Sequence, residues 1–313
     1  MHRLSALLLF TLAFLFAPSA RAQDRIKVGA YVNQVSALDL KGNQFTVDFW
    51  LWFVCKGCTT SAVDSFDVVG ARINSKTSII RKTLPSGEEY ASVRVNATIH
   101  SQWDLKRYPL DDHDLEIRIE DSELDETKRI FLTDAENQGT DPELGVAGWE
   151  IAGFSAGVLP HRYLSNYGDT SIAKNAESRF SRYAFVIHAK RSGLARFLKV
   201  TFPLLVSVIV AWCAFFVRPK DASPRVAISV GALFATAAAT VAMNSQLPEI
   251  NYVTLADKVV FSSLGMISIS LLATVVSLSL HYRNREKDHH KIDRIGAIVF
   301  PILYVTLLVA VVR

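Results

Sequence analysis

Residues Arg225 to Lys258 read RVAISVGALFATAAATVAMNSQLPEINYVTLADK, and the rest of the chain is interpretable around them. A basic residue opens the stretch, no charge follows from Val226 to Leu247, and the run closes on Leu247-Pro248 and a short polar turn. It has the length of a membrane-crossing helix but not the usual composition. Small and hydroxylated residues (Ala227, Ser229, Gly231, Ala232, Ala235, Thr236) take the places a lipid-facing helix gives to Leu, Ile and Phe. Small residues let helices approach closely. Such a helix is enclosed by other helices or lines water, and composition alone leaves a buried helix of a four-helix bundle and a pore-lining helix both open.

Outward from this stretch the chain divides into two unlike halves. From Gln23 to about Arg196 it is polar, mixed in charge and aromatic-rich; from Phe197 onward it is apolar, with charge confined to short loops. One water-exposed domain and one membrane domain are expected. The first residues have the form of an export signal, with Arg3, an apolar run from Leu4 to Phe16 and Ala20-Arg21-Ala22 as a small-residue cleavage site. That apolar run is shorter than the ~20 residues a membrane span needs, and cleavage would leave Gln23 at the new N-terminus. The net charge of +4 is spread along the chain, and no Lys/Arg block tracks a nucleic-acid backbone.

The polar half is predicted to be strands. Gln44 to Phe53 (QFTVDFWLWF) is rich in β-branched and aromatic residues. Similar runs follow at Ser65–Ile73, Glu89–His100, Asp114–Ile119, Trp149–Ala156 and Arg179–Lys190, separated by turn chemistry such as Pro85-Ser86-Gly87. Many short strands at turn-marked intervals predict a β-sandwich or barrel. The apolar half predicts four spans, Phe197–Val217, Val226–Gln246, Val259–Leu280 and Ile295–Val312. The loops holding Arg218 and Lys220, and Arg283 to Arg294, are basic; the positive-inside rule puts them in the cytoplasm and the β-domain outside.

Of the three cysteines, Cys213 lies in an apolar run and is expected to be packed. Cys55 and Cys58 form C-x-x-C in the exported half, where an oxidising compartment favours a local disulfide. A redox site would call for a βαβ setting and a zinc site for a second ligand pair, and neither pattern is present.

At Trp103 a resemblance enters. WDLKRYPLDDHDLEI (residues 103–117), followed by four spans, resembles the signature loop of the pentameric ligand-gated ion channels, the Cys-loop receptor superfamily. In that family a Phe/Tyr-Pro-x-Asp tip projects from the sandwich towards the membrane, and Tyr108-Pro109-Leu110-Asp111 matches it. Gly148-Trp149-Glu150-Ile151, Pro203, Trp212, Arg225, Leu247, Pro248, Tyr252, Thr254 and Asp257 match further landmarks in order. The two signature cysteines would fall at Ser101 and Leu115, an absence usual in bacterial members; the family's Trp-x-Pro loop is not found between Trp52 and Glu89.

The resemblance implies site residues. Asp39, Asp111 and Arg191 would form an ion-paired cluster, with Tyr108, Pro109, Pro248 and Tyr252 beside it, coupling sandwich to pore. The structural alternative is three solvated surface charges worth little. In the family register Ala227, Gly231, Phe234, Ala238, Val241 and Ser245 would line the pore, five Phe234 rings making an apolar constriction. A more polar stripe, Ser229, Thr236, Thr240 and Asn244, lies on a neighbouring face and competes for the same role. Asp221 and Arg225 would stand at the inner mouth, the acid favouring cations and the basic residue beside Pro224 resembling anion channels. Trp50, Trp52, Tyr163, Tyr167, Glu177 and Arg179 match the agonist pocket and the hairpin that caps it; alternating Trp, Leu and Phe also suits sandwich core. Protons are a second candidate agonist, with His188 as a residue able to sense them.

The expected fold is therefore an all-β extracellular sandwich (23–196, after a signal at 1–22) followed by an all-α four-helix transmembrane domain (197–313). The expected function is a ligand-gated ion channel subunit, forming a homopentamer in a bacterial inner membrane with its β-domain in the periplasm. Its partners would be lipid bilayer, a small-molecule agonist or protons, and permeant inorganic ions, with cations favoured. The rival is a non-conducting receptor, against which the short cytoplasmic loops argue. No cofactor is called for, no metal cluster has recognisable spacing, and no nucleophile–base pair marks an enzyme.

Overall fold

The computed structural model describes residues 23–165, 168, 178–191 and 193–312. The expected export signal, Tyr167 and Glu177 lie outside the described residues. In chain order the first half contains β1 (Asp24–Asp39), β2 (Gln44–Cys55), the short α1 (Ala62–Ser65), β3 (Phe66–Val68), β4 (Ala71–Thr83) and β5 (Glu89–His100). It continues through β6 (Asp112–Asp121), β7 (Arg129–Thr133), β8 (Gly139–Thr140), β9 (Trp149–Tyr163) and β10 (Ser178–Arg191). One sheet runs β4-β5-β2-β1-β7, with β8 also on β1; the other runs β3-β6-β10-β9. The two pack as a sandwich around Val28, Phe49, Leu51, Val93, Leu115, Ile117, Phe185 and Ile187.

Period two explains the strands and also places the charges that matter. On β10 the alternation that buries Tyr183, Phe185, Ile187 and Ala189 turns Arg191 inward as well. On β6 the same phase buries His113, Leu115, Ile117 and Ile119, and Asp111, just before the strand, is in step with them. Two sequence expectations are revised. β1, the longest strand, was not among the expected runs: Arg25-Ile26-Lys27-Val28 alternates, but Gly29 and Ala30, consecutive and both buried, interrupt the pattern. The run Ser65–Ile73 is not one strand: it holds the end of α1, β3, a turn at Gly70 (φ +72°), and the start of β4.

The second half consists of α2 (Gly193–Cys213) with a 3₁₀ turn at Ala214–Phe216, α3 (Ala222–Asn244), α4 (Leu255–Tyr282) and α5 (Glu286–Val312). Among the described residues four helices are long and apolar enough to cross a membrane, and the chain is a multi-pass membrane protein. Polar side chains tie the helices together, as expected where no water competes. Trp212 Nε1 donates to the Ala297 carbonyl at 2.9 Å, Ser270 Oγ to the Ala211 carbonyl at 2.9 Å, and Ser263 and Tyr304 share a hydrogen bond of 2.9 Å. A Cβ on Gly296 would fall 2.3 Å from the Phe215 ring, so only glycine permits this approach of α5 to the end of α2. Cys213 is free and exposed rather than packed, a correction to the sequence expectation.

The two halves share one apolar core. Leu204, Met243, Leu247, Ala256, Val259 and Val260 belong to the same buried cluster as the sandwich interior. The sandwich-facing parts of α2, α3 and α4 are thus packed against the base of the sandwich.

The coupling interface and the candidate pore

The loop between β5 and β6, residues 101–111, sits on the helical half at the start of α4. α4 begins with a capping box: Asp257 N donates to Thr254 Oγ1 at 3.1 Å, and Thr254 N donates to Asp257 Oδ2 at 2.9 Å. The next amides would be orphan donors of the first helical turn. The loop satisfies them, with Leu255 N donating to the Lys106 carbonyl at 2.9 Å and Ala256 N to the Tyr108 carbonyl at 3.0 Å. From the linker before α4, the Tyr252 hydroxyl accepts from Leu105 N at 2.9 Å and donates to the Trp103 carbonyl at 3.3 Å. Tyr108 and Pro109 are buried in this contact, and Pro248 is half-buried in the turn that ends α3.

Behind the loop lies a buried polar cluster. Arg191 Nε is 3.3 Å from Asp111 Oδ1, and the other carboxylate oxygen, Oδ2, is 2.6 Å from His113 Nε2. All three residues are buried. The guanidinium lies over the rings of Trp149 (4.2 Å) and Tyr108 (5.3 Å), so aromatic faces as well as a carboxylate hold its charge. Burial pushes Arg191 below its ordinary value, Asp111 pulls it back up, and Arg196 lowers it further. Its Nε and Nη1 make no hydrogen bond among the described residues, so the pairing is by charge rather than by a matched fork. Asp39, expected as a third member, is not in the cluster. Its side chain accepts from Gly42 N at 2.9 Å and closes the β1–β2 turn; only its carbonyl approaches, 3.3 Å from Trp103 Nε1. Asp-x-x-Gly turn chemistry claims this carboxylate.

α3 has two distinct sides. Arg225, Ser229, Ala232, Thr236 and Met243 are buried within the subunit. Ala227, Gly231, Phe234, Ala238, Val241 and Ser245 are all exposed in it, Phe234 at 73% and Val241 at 71%. The competing stripe splits: Ser229 and Thr236 point inward, Thr240 is half-buried and Asn244 exposed. Thr236 and Thr240 hydroxyls bond back to the carbonyls of Ala232 and Thr236, at 2.9 and 2.8 Å, which settles their polarity inside the helix.

Arg225 is not at an open mouth. It is 0% exposed and makes a bidentate pair with Asp293 on α5, Nη1 to Oδ2 at 3.1 Å, with Ser277 on α4 at 3.4 Å. Asp221, the residue before α3, is exposed. Asp293 carried no sequence signal beyond being an acid in a basic stretch, and its role was missed. His113 and Trp149 were missed as members of the buried Arg191–Asp111 cluster, although the period-two phase from Leu115 points His113 inward.

The pocket candidates are dispersed. Trp52 is buried and donates from Nε1 to Asp134 Oδ2 at 3.0 Å, so it belongs to the core. Trp50 is half-buried on the six-stranded sheet. Tyr163 and Arg179 stand on the other sheet, and no contact joins them to Trp50 among the described residues of one subunit. Tyr163 donates to Glu120 Oε2 at 2.8 Å, and Arg182 Nε holds Glu120 Oε1 at 2.5 Å. Burial, then Glu120, pushes the Tyr163 phenol up. Cys55 and Cys58 are joined, Cα atoms 6.0 Å apart, beside a cavity of about 340 Å³ at the end of β2. His188 faces outward between Asp114 (2.7 Å) and Ser155 (3.0 Å).

Comparison with known proteins follows this geometry. No family model matches the chain. It is 22% identical over 220 residues to a proton-gated ion channel of Gloeobacter violaceus, covering 70% of this chain and 58% of that protein. It is 20% identical over 231 residues to pH-sensitive chloride channel 2 of Anopheles gambiae, and 21% identical over 212 residues to human gamma-aminobutyric acid receptor subunit rho-1. The matches cover 36% and 42% of those two longer proteins. The chain is similar to ion channels of the pentameric ligand-gated kind. The relatives are named as ion channels and a receptor subunit, not enzymes, and Ser155, His188 and Asp114 form a row of hydrogen bonds across β9, β10 and β6.

Proposed function

We propose that this chain is a subunit of a homopentameric channel, opened from the β-domain side by a small ligand or by protons. The observation that carries the proposal is the two-sidedness of α3. A helix whose one face is buried in its own subunit, while a row of small residues with Phe234 and Val241 stays exposed, has found only one of its two environments. Around a five-fold axis the exposed row meets water, and five Phe234 rings form an apolar neck that excludes ions by dewetting. The relatives named as a proton-gated ion channel, a pH-sensitive chloride channel and a gamma-aminobutyric acid receptor subunit support the reading.

Charge placement supports cation selectivity. Arg225 is withdrawn behind α3 and neutralised by Asp293, while the exposed Asp221 and Glu249 bracket the uncharged face at its two ends. Acidic rings favour cations. Agonist contacts fall between subunits in this proposal, Trp50 of one facing the Tyr163 and Arg179 hairpin of the next. The basic α4–α5 connection sets the orientation, with the β-domain in the periplasm of a bacterial inner membrane.

Two experiments test this. Native mass spectrometry in mild detergent is expected to show pentamers; monomers alone contradict it. Purified protein in planar bilayers, with external pH and candidate amines varied, is expected to conduct in response to one of them.

A further inference from the structure

The buried partner of Asp111 that sequence reading missed is a titratable group at the centre of the coupling interface. We propose that His113 is a proton-binding site, and that its protonation switches the coupling cluster and so gates the channel. The inference rests on the channel reading above and names its ligand as the external proton.

His113 is 6% exposed and Asp111 2%, so the charge state of this pair is felt with little screening by water. The carboxylate is shared: one oxygen serves His113, the other faces Arg191. With a neutral imidazole the cluster balances, one guanidinium against one carboxylate. With an imidazolium two cations compete for that single acid inside an aromatic box. Trp103 and Trp149 flank the His113 ring at 4.9 and 5.2 Å, and Trp149 also carries the Arg191 guanidinium. The other charged groups around it are few. Asp112, next on its own strand, points outward and accepts from Arg191 N at 3.2 Å. From β10 come Lys190, exposed, and Arg191; from β9 Glu150, exposed; from α2 Arg196, which acts on Arg191. Tyr108 faces from the loop and Tyr252 from the linker before α4. None of these is an acid buried within the box, so the added proton has only Asp111 to answer it.

Arg191 is the member able to yield. Asp111 and His113 make a direct 2.6 Å contact, whereas Arg191 Nε and Nη1 make no hydrogen bond among the described residues. Protonation therefore strengthens His113–Asp111 and repels Arg191. The consequence is transmitted locally: Tyr108, under Arg191, receives the Ala256 amide of α4 on its carbonyl, and Lys106 receives Leu255.

The test uses the full-length protein. Imidazolium quenches an adjacent indole, so tryptophan emission in detergent is titrated from about pH 8 to about pH 5, the range in which histidine charge changes. Bilayer currents are recorded over the same range for wild type, His113→Gln, His113→Asn and the exposed His188→Gln. The expected result is an emission step and a pH-driven current in wild type and His188→Gln, both lost in the two His113 variants. A pH-driven current unchanged by His113→Gln overturns the site and leaves the channel reading intact, as does a current lost in His188→Gln instead. An emission step assigned to His113 with wild-type currents indifferent to pH overturns the gating role. If wild type is silent throughout, and Phe234→Ser with it, the channel reading fails. Emission then decides alone whether His113 takes the proton. Should neither His113 variant assemble, hydrogen exchange in wild type replaces them. Faster exchange at Leu255 and Ala256 below about pH 6, after correction for intrinsic rate, supports the switch, and unchanged protection overturns it.

Discussion

Arg191 and Asp111 meet 3.3 Å apart in a site closed to solvent, one at the end of the last strand and the other at the tip of the loop that holds α4. Removing one partner of a buried pair leaves the other charge unanswered, at a cost of about 3–5 kcal/mol. Here His113 remains on Asp111, which softens the loss to the lower end. Arg191→Ala is expected to lower thermal stability, to keep the pentamer and to abolish the response to agonist. Arg191→Lys restores little, because an ammonium reproduces neither the planar stacking on Trp149 nor the reach to Asp111. Agonist-evoked currents of wild-type size in Arg191→Ala would remove this pair from gating.

At the other end of the membrane, ion selectivity separates two residues that adjoin in sequence. Asp221→Lys is expected to move the reversal potential in a salt gradient towards that of anions. The double variant Arg225→Gln, Asp293→Asn removes a buried pair together and leaves the reversal potential in place, since neither charge faces the ions. The opposite ranking of the two variants would mean that Arg225 reaches the pore.

Thiol chemistry checks the cysteine assignments. In unreduced, denatured protein one thiol, Cys213, is expected to react with maleimide, and reduction is expected to add Cys55 and Cys58. Three reactive thiols without reductant would contradict the disulfide.

Fold class was legible because it rests on periodicity and composition. Four apolar runs gave four helices, and the signature loop resembling that of a known family named the sandwich above them. β1 escaped because Gly29 and Ala30 interrupt its alternation and carry little strand propensity, and α5 begins before its apolar run because Glu286 to Arg294 is helical without being apolar. The placement of residues was legible where a motif fixes a loop, as at Tyr108 and Asp111. They were not where a partner comes from a distant element. Nothing near Arg225 in sequence announces Asp293, and a single step of turn geometry at Gly42 takes Asp39 away from Arg191. The missed histidine was readable in principle, since Leu115, Ile117 and Ile119 set a phase that includes position 113.

The central claim is that the exposed face of α3 lines a pore closed by Phe234. The measurement is resting current through purified protein in planar bilayers, without agonist, for wild type, Phe234→Ser and Thr236→Ala. A hydroxyl on the axis wets the apolar neck, so Phe234→Ser is expected to leak. Thr236 is buried against its own subunit and bonded to Ala232, so Thr236→Ala is expected to leave resting conductance near the wild-type value. Leak from Thr236→Ala with a silent Phe234→Ser would contradict this face of the helix, and silence of all three under every agonist and pH would contradict the channel itself.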